Sequence, residues 1–305
     1  MREKVNGFVG VMAVAILCMV SGLCMVWGIA PVVLAVYVAA CAVCGRYMIT
    51  CIGCAAGVAA GSMGIAGLLH AYEYMIPGPV YSGVMVTEKY LVLLGLAMCL
   101  MKIVYSRNSR SYVRVIVVMS AAVLMGNIVV YADNMLMAAA YGVVEAAIFM
   151  CASVILKPGI GLLYTYICGD ASDVERDESW NISQGIVSLM ALAAVVLWVV
   201  PGEDIYGVNP AFMLALVLIL YAVYRTGAVY GCGMAAVAGS IVSVKLNDSR
   251  WLMWMLLVTL VMLIGRALTG RRKVSASLFY VLGCVLASVA DGTVLWNGSG
   301  REIAF

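Results

Sequence analysis

The sequence predicts an all-α polytopic membrane protein of about eleven transmembrane helices, on three observations. Of its 305 residues, 65% are hydrophobic and only 11% charged, with a mean hydropathy of +1.08. The apolar residues form long continuous runs, and the basic residues collect in alternate loops. A soluble domain of this size is about one quarter charged, because its surface must face water. Runs of roughly 20 apolar residues reach across a bilayer as helices. Lipid offers the backbone no hydrogen-bond partners, so spans are helices or closed barrels, and continuous rather than alternating runs exclude the barrel.

Taken in order, the expected spans are Phe8–Trp27, Pro31–Cys44, Tyr47–Leu69, Tyr90–Tyr105, Val113–Tyr131, Met135–Leu156, Ile182–Val200, Ala211–Tyr224, Ala228–Val244, Trp251–Leu268 and Val274–Ala290. Val5–Trp27 is longer than a signal core and lacks a small-residue cleavage site, so it reads as a retained first helix. Pro31–Cys44 and Ala211–Tyr224 are short for full spans. With the N-terminus in the cytoplasm and the spans alternating, Arg2, Lys4, Arg46, Lys102, Arg107, Arg110, Arg114, Lys157, Arg176, Arg225, Arg266, Arg271, Arg272 and Lys273 fall inside. Only Lys89, Lys245, Arg250 and Arg301 fall outside, the bias that sets orientation.

An internal repeat matches that count. Gly28-Ile29-Ala30-Pro31 opens one short span ending at Arg46, and Gly207-Val208-Asn209-Pro210 opens another ending at Arg225. A Gly/Ala-rich helix follows each. Both copies run from outside to inside, so the halves form a parallel repeat. Residues 1–156 make the first transmembrane half, 157–181 a cytoplasmic acidic linker, and 182–305 the second half. The halves hold six and five helices, which implies that a twelfth is missing and that the sequence is a fragment. Asp170–Asn181 carries Asp170, Asp173, Glu175, Asp177 and Glu178 against Arg176, and reads as a solvated linker or a docking strip.

The chemistry-bearing residues are few. Cys41, Cys44, Cys51 and Cys54 form two CxxC pairs across a tight turn, the only weak candidate for a metal site. Their apolar neighbours favour structural cysteines, and eleven cysteines mostly inside apolar runs fit a reducing setting rather than a disulfide framework. Gly53, Gly57 and Gly61, with Gly231, Gly233 and Gly239 in the matching helix, read as close helix packing, within the chain or between protomers. Glu145 lies about ten residues into the sixth span, near the bilayer midplane, where a carboxylate must be protonated or paired. Asn127 and Asn134 are the nearest bonding candidates, and a structural hydrogen bond outweighs a proton or ion role. Arg266 sits near a helix end and can snorkel. His70 is the single histidine, and neither a phosphate loop nor a nucleophile motif is present. The sequence carries no catalytic residue, no evidence of its own chemistry, and no basic character that points to nucleic acid.

Two stretches resemble the N-terminal membrane region of stage II sporulation protein E, the sporulation serine phosphatase family. One is Gly28-Ile29-Ala30-Pro31 with its short span, Arg46 and the helix to Leu69. The other begins at Asp173–Ser183 and runs through Asn209-Pro210, Gly231-Cys232-Gly233, Gly265-Arg266 and Gly270-Arg271-Arg272-Lys273 into the last helix. The resemblance implies a multi-pass anchor in the bacterial cell membrane, at the polar sporulation septum, that self-associates and contacts the division protein FtsZ. It also implies a C-terminal phosphatase domain using Mn or Mg that dephosphorylates an anti-anti-sigma factor and so switches on the forespore sigma factor. That domain's metal-binding aspartates have no counterpart in these residues, so no cofactor is expected here. The expected function is therefore membrane anchoring, septal localisation and oligomerisation. The alternative is a multi-pass small-solute transporter or channel, favoured by the repeat and by Glu145.

Overall fold

The computed structural model describes residues 2–23, 31–72, 83–103, 109–132, 134–168, 182–200, 209–269 and 273–290. Among them the regular structure is entirely helical. In chain order the helices are α1 (Arg2–Leu23), α2 (Pro31–Cys44), α3 (Tyr47–Tyr72), α4 (Gly83–Ile103), α5 (Ser109–Val130), α6 (Met135–Cys168), α7 (Ile182–Val199), α8 (Pro210–Arg225), α9 (Ala228–Leu246), α10 (Arg250–Thr269) and α11 (Lys273–Ala290). Each expected apolar segment falls on one of them. Four helices contain stretches long and apolar enough to cross a membrane: Ser111–Val130, Met135–Ile167, Ala228–Leu246 and Arg250–Leu268. The acidic stretch Asp170–Asn181, the Gly28 and Gly207 ends of the repeat, and the His70 side chain lie outside the described residues.

The chain divides into two compact units, Met1–Leu192 and Ala193–Phe305. This division falls inside α7, later than the linker boundaries read from sequence. Helix α6 also continues past Leu156 to Cys168, so the first part of the expected 157–181 linker is helical. Pro158 lies within it. Proline cannot donate a backbone hydrogen bond and its ring crowds the preceding turn, which ordinarily ends or kinks a helix. Just beyond it, the Gly159 backbone N–H donates to Ser188 Oγ of α7.

In the first unit, α2 is the central element. It begins at Pro31, whose fixed φ suits a first helical position, and Pro31 to Cys41 are all buried. Apolar on every side, α2 packs along α6 and touches α1, α3 and α4. Such a helix belongs in an interior. Its turn into α3 is tight: Gly45 takes φ +63°, the left-handed conformation that glycine adopts without steric cost. Tyr37 Oη donates to the Tyr47 carbonyl at 3.3 Å, and Thr50 Oγ1 to the Arg46 carbonyl at 2.8 Å.

Helices α1 and α3 are the closest pair. A β-carbon at Gly53 would stand 2.7 Å from the Ala15 carbonyl oxygen, and one at Gly22 would stand 2.6 Å from the Gly57 backbone. At Gly57 it would collide with the Met19 carbonyl. The colliding atoms are backbone, so no side-chain rotation relieves them. The partner residues rise together along both helices, so the two run parallel.

In the second unit, α8 begins at Pro210, capped by Asn209 Oδ1, which accepts from the Phe212 N–H at 3.0 Å. That bond satisfies one of the amides a helix start leaves unpaired. Gly231 of α9 packs on Val223 of α8, and Gly239 on Leu252 and Met255 of α10. The α9–α10 turn places Asn247 at φ 51°. There the Arg250 guanidinium, hydrogen-bonded to Asp248, holds its carboxyl below the usual carboxylate range. Two cations close helix ends: Lys245 Nζ donates to the Val200 carbonyl after α7, and the Arg266 guanidinium to the Val223 carbonyl near the end of α8. These carbonyls belong to helix ends, where intrahelical donors run out and positive charge is favoured.

Gly57→Leu should force α1 and α3 apart and lower unfolding free energy by about 3 kcal/mol or more, the upper range of overpacking. Gly95 has open space around its β-position. Gly95→Leu should therefore change stability by less than about 0.5 kcal/mol, as surface substitutions do. Thermal unfolding of both variants in one detergent checks the contrast.

Candidate functional site

The polar cluster of the first unit is assembled from three helices. Lys89 of α4 donates through Nζ to Glu145 Oε2 of α6 at 2.7 Å and to Asn127 Oδ1 of α5 at 3.1 Å. Asn127 Nδ2 donates to the same Glu145 oxygen at 2.7 Å and to the Val123 carbonyl at 3.1 Å. One carboxylate oxygen thus accepts from a lysine and an amide on two different helices. The side chain of Lys89 is 4% exposed and that of Glu145 19%. Asn127 is fully buried.

Local sequence explains the arrangement. Gly126, next to Asn127, has no side chain, and the Lys89 stem lies over it; a β-carbon there would come within 3.2 Å of Lys89 Cγ. The ammonium also sits 4.8 Å from the centre of the neighbouring Tyr90 ring, within range of a cation–π attraction. Gly142, one turn before Glu145, lets α6 approach Leu124 and Asn127 of α5. Further along the α5–α6 seam, Tyr131 stacks on Tyr141 with ring centres 5.2 Å apart. At the other end Tyr112 Oη donates to the Ser153 carbonyl at 2.7 Å, and Lys157 Nζ lies 4.6 Å from the Tyr112 ring centre.

Chemically, the cluster is a neutralised pair with an amide bridging it. Its members satisfy one another, and no nucleophile with an adjacent base is formed among them. Among the described residues, no group of three or more His, Cys, Asp or Glu side chains is placed to hold a metal ion. Of the two CxxC pairs, Cys41 and Cys54 are buried while Cys44 and Cys51 are half-buried. The Cys41 thiol lies 3.2 Å from Thr50 Oγ1, and the buried Cys54 thiol neighbours the Cys18 thiol of α1. These thiols therefore have local partners in the α1–α2–α3 packing.

Glu145 and Asn127 are brought together as the sequence reading allowed, but Asn134 is not. Asn134 instead caps α6, its Oδ1 accepting from the Met137 N–H at 3.2 Å. Arg266 turns inward to a carbonyl rather than outward to a headgroup. Gly53 and Gly57 lie at the α1–α3 crossing, and Gly231 and Gly239 at the α8–α9 and α9–α10 crossings. Gly61 is buried and Gly233 half-buried. Lys89 is the residue that sequence reasoning missed, having been placed with the outer loop charges.

Compared with protein-family models, curated proteins and solved structures, the chain matches none of them.

Glu145→Met should lower stability by about 3–5 kcal/mol, because it leaves the buried Lys89 uncompensated, and Lys89→Met should lower it less, because the Glu145 side chain is 19% exposed. The double Lys89→Met/Glu145→Met variant should return to the parent's stability or exceed it. Denaturant unfolding of the four proteins in one detergent checks this; equal loss in the single and double variants would remove the pair from the account.

Proposed function

We propose that the chain is a multi-pass membrane module, N-terminus inside, whose eleven helices form two parallel-repeat halves and anchor a larger protein. The observation that carries this reading is the distribution of polarity. The buried lysine and the half-buried carboxylate neutralise each other, while large apolar side chains are turned outward. Val92 is 71% exposed, Val129 76% and Leu136 83%. Water would oppose so much exposed apolar surface, whereas hydrocarbon accepts it. The prolines that open α2 and α8, and the Gly-rich helices after them, support the two-half arrangement.

Within that reading, the resemblance to stage II sporulation protein E supplies the role. The module concentrates a C-terminal metal-dependent serine phosphatase at the sporulation septum by self-association, with the division protein FtsZ as a partner, and so governs forespore sigma-factor activation. Gly53 and Gly57 are engaged within the chain, so self-association uses the outward apolar faces or the loops. The buried charge pair also favours a second reading, a small-solute transporter, since in-span charges often line ion pathways.

A fluorescent fusion of the chain in sporulating cells should gather at the polar septum and migrate as an oligomer on native gels, and the double Lys89→Met/Glu145→Met variant, which removes both charges, should leave that pattern unchanged. An even membrane distribution of a monomer would sink the anchor reading, and loss of solute uptake in Glu145→Gln would favour the transporter.

A further inference from the structure

Helix α4 is poorly equipped to cross a bilayer by itself. Between Lys89 and Lys102 it offers only the uncharged run Tyr90–Met101. At 1.5 Å per residue that run covers about 18 Å, against roughly 30 Å of hydrocarbon. If α4 spans, one of the two lysines must lie inside the hydrocarbon layer. Lys102 is exposed in the last turn and can extend along the helix toward the headgroups. Lys89 cannot, because its stem is held over Gly126 and its ammonium is enclosed by Tyr90, Asn127 and Glu145.

Helix α6 is the opposite case. Its apolar stretch Met135–Ile167 is 33 residues long, well beyond the length a span needs. A single carboxylate does not endanger its insertion.

We propose that α4 is a conditional span, whose crossing becomes stable only when α5 and α6 supply Asn127 and Glu145. The partner of Lys89 is 56 positions downstream, so α4 is secured after α6 has been made. This makes the cluster an assembly device: the orientation of an early helix is settled by a later one. The proposal rests on the spanning reading, and the control below tests that reading separately.

The experiment uses the full chain with Ser82→Cys or Ser106→Cys, on either side of α4, in intact membranes. A membrane-impermeant maleimide is applied to one face, and labelling is read on each peptide by mass spectrometry. In the parent the two positions should label from opposite faces; same-face labelling would defeat the spanning reading and this proposal with it. Glu145→Ala should raise labelling of Ser106→Cys from the face that labels Ser82→Cys by at least about tenfold, given the cost of an unpaired lysine in a span. Adding Lys89→Leu should restore the parental pattern even if Glu145→Ala alone is degraded. Lys89→Leu alone should also cross normally, although it orphans Glu145. Parental labelling in Glu145→Ala, equal misplacement in both single variants, or failure of Lys89→Leu to restore would each overturn the proposal.

Discussion

An ammonium ion and a carboxylate removed from water are each costly, and the cost falls only when they meet with their remaining hydrogen-bonding capacity satisfied. That requirement organises the first unit. Lys89, Asn127 and Glu145 come from three helices and bond to one another. The glycines at 126 and 142 make the meeting possible by letting a lysine stem and a helix backbone approach α5. The Tyr131–Tyr141 stack at one end of the α5–α6 seam, and Tyr112 with the Ser153 carbonyl and Lys157 at the other, join the same two helices. Polar bonding sets which helices are neighbours, and small residues set how near they come.

Close approach governs the rest of the fold. On the spanning reading there is no hydrophobic drive between helices in hydrocarbon, so van der Waals contact and internal hydrogen bonds must hold them. Backbone-to-backbone packing at Gly22, Gly53 and Gly57 meets that need for α1 and α3, and burial on every side meets it for α2. In the second unit Lys245 and Arg266 close the ends of α7 and α8, so cations that look like surface charges serve as internal donors.

Much of this was legible in advance because apolar length and proline position act locally. Among the described residues each helix falls on a continuous apolar run of the sequence, and Pro31 and Pro210 open α2 and α8. Glu145 stood out as an isolated carboxylate in an apolar run, with Asn127 and Asn134 as its two bonding candidates. Lys89 did not, because charge counting assigns a lysine near a helix start to the adjoining loop. The signal was present in the short distance from Lys89 to Lys102, which leaves too little apolar length between them. The continuation of α6 through Pro158 was hidden for a related reason. The expected span ended at Leu156, just before Lys157-Pro158, whereas α6 runs on through Pro158 to Cys168 with Gly159 bonded to Ser188 of α7. Asn134 was misjudged because a side chain just before a helix serves its own amides first.

The central claim is that Lys89 and Glu145 are in direct contact within a membrane-embedded bundle. A hydrophobic carbodiimide added to native membranes tests it most directly, since it activates a carboxyl group in lipid for attack by an adjacent amine. The account predicts an amide bond joining the α4 and α6 peptides through Lys89 and Glu145, with the mass lowered by one water molecule, and its loss in Glu145→Gln. Free labelling of Lys89 by a water-soluble amine reagent, with no such crosslink, would contradict it.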